Sequence, residues 1–457
     1  MKDNWKYSLL LVILSTFVFA FTAQASTNPG ISINGELREI SPPAVIKNDR
    51  TMVPVRFIVE DELLQGEVYW DGKQQKVAMN CRGKYIEFFI GSSYARVDGQ
   101  TLRFDTAPYI YQDRTYVPLR FLVEALGASV SWNSQACRVN IQFDYSPRVF
   151  AYYYYSSGKE LNDNIRYFTD IAFRWYETNE YGHLSYEYKD DYQAVLDLVS
   201  RHNVKTHASV VLMDSSKLHQ LLSNSQNRKM LIGNLMDQVN KYGYDGVNID
   251  FEFINAGDAA HFTTFLKELK AVLGAEKELS AAVFARTESD QWPTGYEYAK
   301  IGQIADQVVV MAYDYHYKTS SAGAVAPLWW VEKVVDYMTA RIPAHKIMLG
   351  MATYGYDWSS NGSAQTITAE KLAGIKEKYQ VTEHFDSKSM SPYYTYSDEY
   401  KNSHEIWMEN ERSLKGKLDK ATGARLGGIS FWRIGNGFYD LYQLLGKQGY
   451  GSPVSLR

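Results

Sequence analysis

The sequence predicts an α/β protein: a (β/α)8 TIM-type barrel with a small α+β insertion, preceded by a smaller α+β domain built from an internal repeat. Three observations carry this. One stretch near the start of the chain occurs twice. From about Arg148 onwards, short apolar strands alternate with helix-like stretches over roughly 300 residues, the pattern of repeated strand–helix units. One of those strands carries a polar residue at every second position, which puts a polar row on a single face. A length of 457 residues suits two or three domains of ordinary size.

The first residues read as a processing signal over 1–25. Lys2 and Lys6 form a basic start, residues 8–21 are almost all apolar, and Ala23-Gln24-Ala25 is a small-residue cleavage site. The apolar run, about 14 residues, falls short of the roughly 20 a spanning helix needs. A secreted product, extracellular or cell-wall associated, is therefore expected, with an uncleaved N-terminal anchor as the alternative. No second hydrophobic span follows, so no transmembrane segment is expected after cleavage. The composition, 45% hydrophobic and 22% charged, supplies a sizeable core. A net charge of −4 gives no support to nucleic-acid binding or to a basic membrane surface. The 36 Tyr and 10 Trp suit a glycan binder, because aromatic faces stack on sugar rings, but aromatics also fill cores and composition leaves both open. Export permits a disulfide between Cys81 and Cys137, and the sequence leaves the bridge open.

The repeat runs Asn48-Asp49-Arg50-Thr51-Met52-Val53-Pro54-Val55-Arg56-Phe57-Ile58-Val59-Glu60 and again Gln112-Asp113-Arg114-Thr115-Tyr116-Val117-Pro118-Leu119-Arg120-Phe121-Leu122-Val123-Glu124. Each copy continues to a Trp (Trp70, Trp132) and a short apolar strand, 76–79 or 138–141. The unit reads as a strand, a Pro-bounded short helix and a strand pair. Phe57 and Ile58, with Phe121 and Leu122, form a face that one copy cannot bury alone and two copies can. Residues 31–143 resemble the copper-amine-oxidase N-terminal-like module. The resemblance implies a stalk or wall-binding role. It does not imply copper, since the repeat holds no His cluster.

The barrel is expected over 146–450, with strands at 149–154, 171–175, 205–212, 246–251, 279–285, 307–313, 346–352 and 427–432. Helical patterns cover 192–202, 228–242, 259–273, 328–340 and 410–422. An open parallel sheet is the competing architecture. The stretch between Tyr356 and Arg425 is too long for one connection. With a helix at 369–379 and strands at 392–396 and 404–408, it reads as an insertion walling one side of a cleft.

The polar row lies in Tyr244-Asp245-Gly246-Val247-Asn248-Ile249-Asp250-Phe251-Glu252. Asn248, Asp250 and Glu252 share one face, which in a barrel strand points inward, and Glu252 lies at the C-terminal end where such barrels keep their chemistry. A half-exposed strand with its polar face in water would show the same alternation. Burial and the charge of Asp250 push Glu252 toward its protonated form, which fits a general acid for a glycosidic oxygen. The run resembles the Asp-Gly-x-Asp-x-Asp-x-Glu signature of family 18 glycoside hydrolases, the chitinase group. That resemblance implies substrate-assisted cleavage of β-1,4 bonds in N-acetylglucosamine glycans: Glu252 as acid/base and Asp250 orienting the acetamido group, with retention of configuration. Asn248 stands where the family has an aspartate; Asn can hydrogen-bond to Asp250 but takes up no proton.

Met311-Ala312-Tyr313-Asp314 matches the family's Met-x-Tyr-Asp. The match implies that Tyr313 donates to the acetamido oxygen while Met311 and Asp314 line the same subsite. Trp432, ending Gly427-Gly428-Ile429-Ser430-Phe431-Trp432, matches the Trp that floors the reacting-sugar subsite. Both also fit ordinary core residues. Asp245 and Asn248, in the run that ends at Glu252, are candidate substrate-binding residues as well. Tyr152, Arg286, Tyr354 and Tyr356 fall near expected strand ends and are candidate sugar contacts. His207 and His316 receive no role. No motif indicates a metal or nucleotide, and no cofactor is expected. Asp245 to Glu252, Tyr354-Gly355-Tyr356-Asp357-Trp358 and His404-Glu405-Ile406-Trp407 resemble the spore cortex and wall-lytic branch, which favours peptidoglycan as partner. Chitin oligosaccharides are the alternative substrate. A lectin that has lost catalysis and a structural wall protein are the competing classes, and retention of the acid argues against both.

Overall fold

The structure, a computed structural model, describes residues 28–447 except 34, 62, 63, 65, 82, 83, 144–146, 156 and 187–190. The leader expected over 1–25 lies outside the described residues. Among them, no helix is long and apolar enough to cross a membrane.

The repeat folds into a β-rich module. In each copy, two residues with positive φ (Asn48 and Asp49, Gln112 and Asp113) form a tight hairpin turn. The turn joins Val45–Lys47 to Arg50–Pro54, and Tyr109–Tyr111 to Arg114–Pro118. The two longer strands pair antiparallel with Val53 opposite Val117, which relates the copies by a pseudo-twofold axis. Pro54 and Pro118 end these strands and start the helices Val55–Val59 and Leu119–Ala125. A proline lacks the N–H a sheet would use and is tolerated at a helix start. Ile58, Val59, Leu122 and Val123 are fully buried, so each copy covers the other's face. A five-stranded antiparallel sheet spans Glu67 to Arg103. Cys81 and Cys137 are not bridged to each other.

Eight parallel strands follow: β1 (Arg148–Tyr153), β2 (Asp170–Thr178), β3 (Lys205–Leu212), β4 (Gly246–Phe251), β5 (Glu278–Phe284), β6 (Gln307–Met311), β7 (Ile347–Ala352) and β8 (Gly428–Trp432). Each pairs with its neighbours, and β1 pairs with both β8 and β2, so the sheet closes. The barrel, not the open sheet, is the architecture. Helices cover the outside; Ala259–Leu273, for example, buries Phe262, Phe265, Leu266, Leu269 and Leu273, one stripe at helical spacing.

Inside the barrel, the residues of the inward period form layers. At the N-terminal end, Arg148 of β1 pairs with Asp170 of β2 and with Glu278 of β5 (2.9 Å), and Lys205 of β3 pairs with Glu278. His207 adds a 3.1 Å contact to Asp170. Burial opposes ionisation here, yet Arg148 and His207 hold Asp170 far below the carboxylate range, and Arg148 and Lys205 hold Glu278 at about 2. Asp170, His207 and Glu278 sit close enough to hold a cation, but Arg148 and Lys205 already neutralise the two carboxylates. Gly246 packs here too: a Cβ on it would come within 2.8 Å of His207 Nδ1. The module meets the barrel at this same end, where Asn80 donates to the Ala275 carbonyl (2.8 Å).

Between β7 and the last helix–strand unit lies the insertion: a five-stranded antiparallel sheet from Tyr354–Ser359 to Ser403–Met408, with the helix Ala369–Lys378. It begins two residues earlier than the sequence suggests, because Tyr354 is already paired with Thr368.

Candidate active site

β4 is completely buried, and its register with β3 and β5 fixes which residues face inward: Ser209, Asn248 and Ser280 stand in one row. Asn248 is clamped there. Its Oδ1 accepts from Ser209 Oγ and its Nδ2 donates to Ser280 Oγ, both at 2.9 Å. The sequence suggests an Asn248–Asp250 hydrogen bond; instead the amide is taken up by the two serines, which no motif announces.

One step further along β4, Asp250 is 5% exposed and its Oδ1 has no hydrogen-bond partner among the described residues. Burial pushes its carboxyl up to about 6, against the lowering effect of Arg174. Glu252 follows at the strand end, its N–H held by the Leu212 carbonyl at 3.0 Å. Burial, then the charges of Asp250 and Asp314, raise Glu252 to about 8, again opposed by Arg174. Near neutral pH the site therefore presents an ionised Asp250 beside a protonated Glu252, the division a carboxylate stabiliser and a general acid require.

Tyr152, at the end of β1, is buried beside Asn248, within electrostatic reach of Asp250 and Glu252. Tyr313 lies beyond the end of β6, which stops at Met311 rather than running on to 313; the Ala312 N–H turns back to the Val310 carbonyl (2.8 Å). Burial and the neighbouring Tyr152, Asp250 and Glu252 hold the Tyr313 hydroxyl in its neutral, donating form. Met311 and Trp432 pack on Phe150, Tyr152 and Ala172 inside the barrel, with the Trp432 ring 5.5 Å edge-on from Tyr152.

Asp314, at φ +59°, accepts from the hydroxyls of Tyr354 (2.8 Å) and Tyr356 (2.9 Å). Those two tyrosines, read from sequence as sugar contacts, spend their hydroxyls on Asp314 and fasten the insertion to the loop after β6. Arg286 lies above β5 with Nη2 on the Asp290 carbonyl (3.0 Å) and its guanidinium 4.5 Å over Trp292. Asp245 is not part of this constellation. It precedes β4, at the opposite end, about 20 Å along the strand from Glu252. There its Oδ2 accepts from Thr206 N (2.8 Å) and Thr206 Oγ1 (3.0 Å), bracing β3 against β4.

Arg174, which no motif marks, also belongs to the site. It sits on β2 with its side chain only 15% exposed, paired to Glu177 (3.0 Å) and lying 5.5 Å from the Tyr154 ring centre. The signal was present: Asp170, Ala172 and Arg174 alternate along β2 as Asn248, Asp250 and Glu252 do along β4.

Residues 148–437 match the model of glycosyl hydrolases family 18, and residues 32–141 match that of the copper amine oxidase N-terminal domain. YdhD of Bacillus subtilis (strain 168), which carries the name of a sporulation-specific glycosylase, is 31% identical over 289 residues, covering 61% of this chain and 68% of that protein. The cortical fragment-lytic enzyme of the same organism is 29% identical over 244 residues, covering 51% of this chain and 57% of the enzyme, so the match spans little more than half of that relative. Among solved structures, the Bacillus cereus spore cortex-lytic enzyme SleL superposes with a TM-score of 0.62 at 24% identity, covering 67% of this chain and 75% of that one, a likeness of fold. With its barrel matched from the first strand to beyond the eighth, the chain belongs to glycosyl hydrolases family 18, a family acting on N-acetylglucosamine-containing glycans, and carries a copper amine oxidase N-terminal domain ahead of it.

Proposed function

We propose that the chain is a secreted, retaining hydrolase that cuts β-1,4 bonds next to N-acetylglucosamine, with peptidoglycan as its polymer. The observation that carries the chemistry is the buried inward row on β4, where burial and the neighbouring charge of Asp250 favour the protonated form of Glu252. The substrate's acetamido oxygen attacks C1 while Glu252 gives its proton to the departing glycosidic oxygen. Asp250 orients the acetamido N–H and balances the charge of the oxazolinium, and the Tyr313 hydroxyl positions the acetamido group. Water, deprotonated by the Glu252 carboxylate, then opens the ring at C1, giving the β product and restoring the acid. Trp432 floors the sugar at this site. Relatives named for cortical fragments and the spore cortex support peptidoglycan over chitin, and the leader-like residues 1–25 support export.

Product mass spectrometry separates the substrates. The purified mature protein should release fragments with new N-acetylglucosamine reducing ends from peptidoglycan. Cleavage of chitin oligosaccharides alone would move the enzyme to the chitinase side, and cleavage of neither would leave a glycan-binding protein.

A further inference from the structure

The module carries a groove of about 950 Å³, lined entirely by its own residues, that the barrel chemistry does not use. One wall is Trp132, 46% exposed on a strand whose partner residue is Val139. Facing the same space is Arg103, exposed, whose side chain makes no ion pair or hydrogen bond among the described residues. Phe104 and Phe121, 4.7 Å apart, form an apolar floor. At the rim, Arg50 pairs with Asp105 (2.5 Å) and Arg120 makes a single long contact to Glu124 (3.4 Å). With Asp49, the carboxylates match the guanidiniums, so the groove holds charges of both signs around its apolar floor yet carries no net charge. An anionic polymer would find as much repulsion as attraction there, and an apolar helix would bury charges. A flat indole beside donors and acceptors of both kinds suits the ring faces and hydroxyls of an uncharged sugar chain.

The internal repeat supplies a comparison within the molecule. Trp70 occupies the position of Trp132 in the first copy and is equally exposed, at 44%. Arg56, the counterpart of Arg120, is tied down there, paired with Glu60 and donating to the Val68 carbonyl at 3.0 Å. Arg120 makes no such bond to its own strand, so the polar groups of the second copy remain available.

We propose that this groove is a second glycan-binding site. A strand of N-acetylated sugars stacks one ring on Trp132, and Arg103 and Arg120 donate to its oxygens. The inference rests on the reading that the barrel cuts such a glycan. It gives the module a role, that of holding the insoluble polymer while the barrel works along it.

Sedimentation of the full chain with purified peptidoglycan sacculi, in a Glu252→Gln background that prevents cleavage, tests this. W132A and R103A should each weaken sacculus binding roughly tenfold, because one of two linked sites is lost, while W70A binds as its parent does. With Glu252 intact, W132A should still cut soluble oligosaccharides at the parent rate. Unchanged sacculus binding in W132A, or an equal loss in W70A, would overturn the groove as a site. Failure of the parent to cut any soluble glycan would instead sink the hydrolase reading, and the binding arm would still report on the groove. All three substitutions are at exposed positions, and unchanged thermal melting checks that the module stays folded.

Discussion

Around neutral pH the two carboxyls at the end of β4 hold one proton between them, with Asp250 at about 6 and Glu252 at about 8. The pair titrates together, so these values set the limbs of one profile. For kcat/KM we expect a bell that rises through about pH 6 as Asp250 ionises and falls through about pH 8 as Glu252 loses its proton. Arg174 lowers both groups. Arg174→Gln should therefore move both limbs to higher pH, and a profile that stays in place would remove Arg174 from the electrostatics of the site. Asn248 acts differently: clamped between Ser209 and Ser280, it is a neutral spacer beneath the acids. Asn248→Asp would add a negative charge to a buried row, and the acidic limb should rise because Asp250 then ionises beside a like charge.

At the scale of elements, the strands were legible where their period was clean. The polar–apolar alternation of Asn248 to Glu252 gives both the strand and its inward face, and β3 and β4 end where the pattern ends. The sequence hid what depends on distant partners. Asp314 meets Tyr354 and Tyr356 across some 40 residues of chain, so nothing local marks their hydroxyls as taken. Asp245 shares a motif with Glu252, but the length of β4 carries them to opposite ends of the barrel. The N-terminal plug of the barrel is likewise a product of closure, since Arg148, Lys205 and Glu278 come from three strands. Arg148→Ala would leave Asp170 and Glu278 buried without their main counter-charge and should cost about 3–5 kcal/mol of stability, read by urea unfolding. Because both carboxyls are depressed in the folded state, their contribution is complete above about pH 5 and is lost as the pH falls through about 2 for Glu278 and lower still for Asp170. In the variant, the stability of the barrel should vary less across that window.

As a whole, the molecule has two large separate hydrophobic cores, one in the module and one under the barrel helices. Each unit buries its own apolar surface, so denaturant should unfold them in two transitions. Leu122→Ala, at a fully buried position of the module, should lower the module's transition by about 3 kcal/mol while hydrolysis of soluble oligosaccharides persists. A single shared transition would show that the two units fold as one. The repeat was visible in the sequence as two copies of one stretch, whereas the pseudo-twofold pairing of Val53 with Val117 emerges only from the fold. The proposed chemistry needs Glu252 as the proton donor. Turnover and affinity of Glu252→Gln should be measured together on a soluble N-acetylglucosamine-containing glycan. Turnover should fall by roughly a hundred- to ten-thousandfold while the glycan still binds, because the amide keeps the shape of the acid but gives no proton. Near-normal turnover in that variant would mean that Glu252 is not the proton donor.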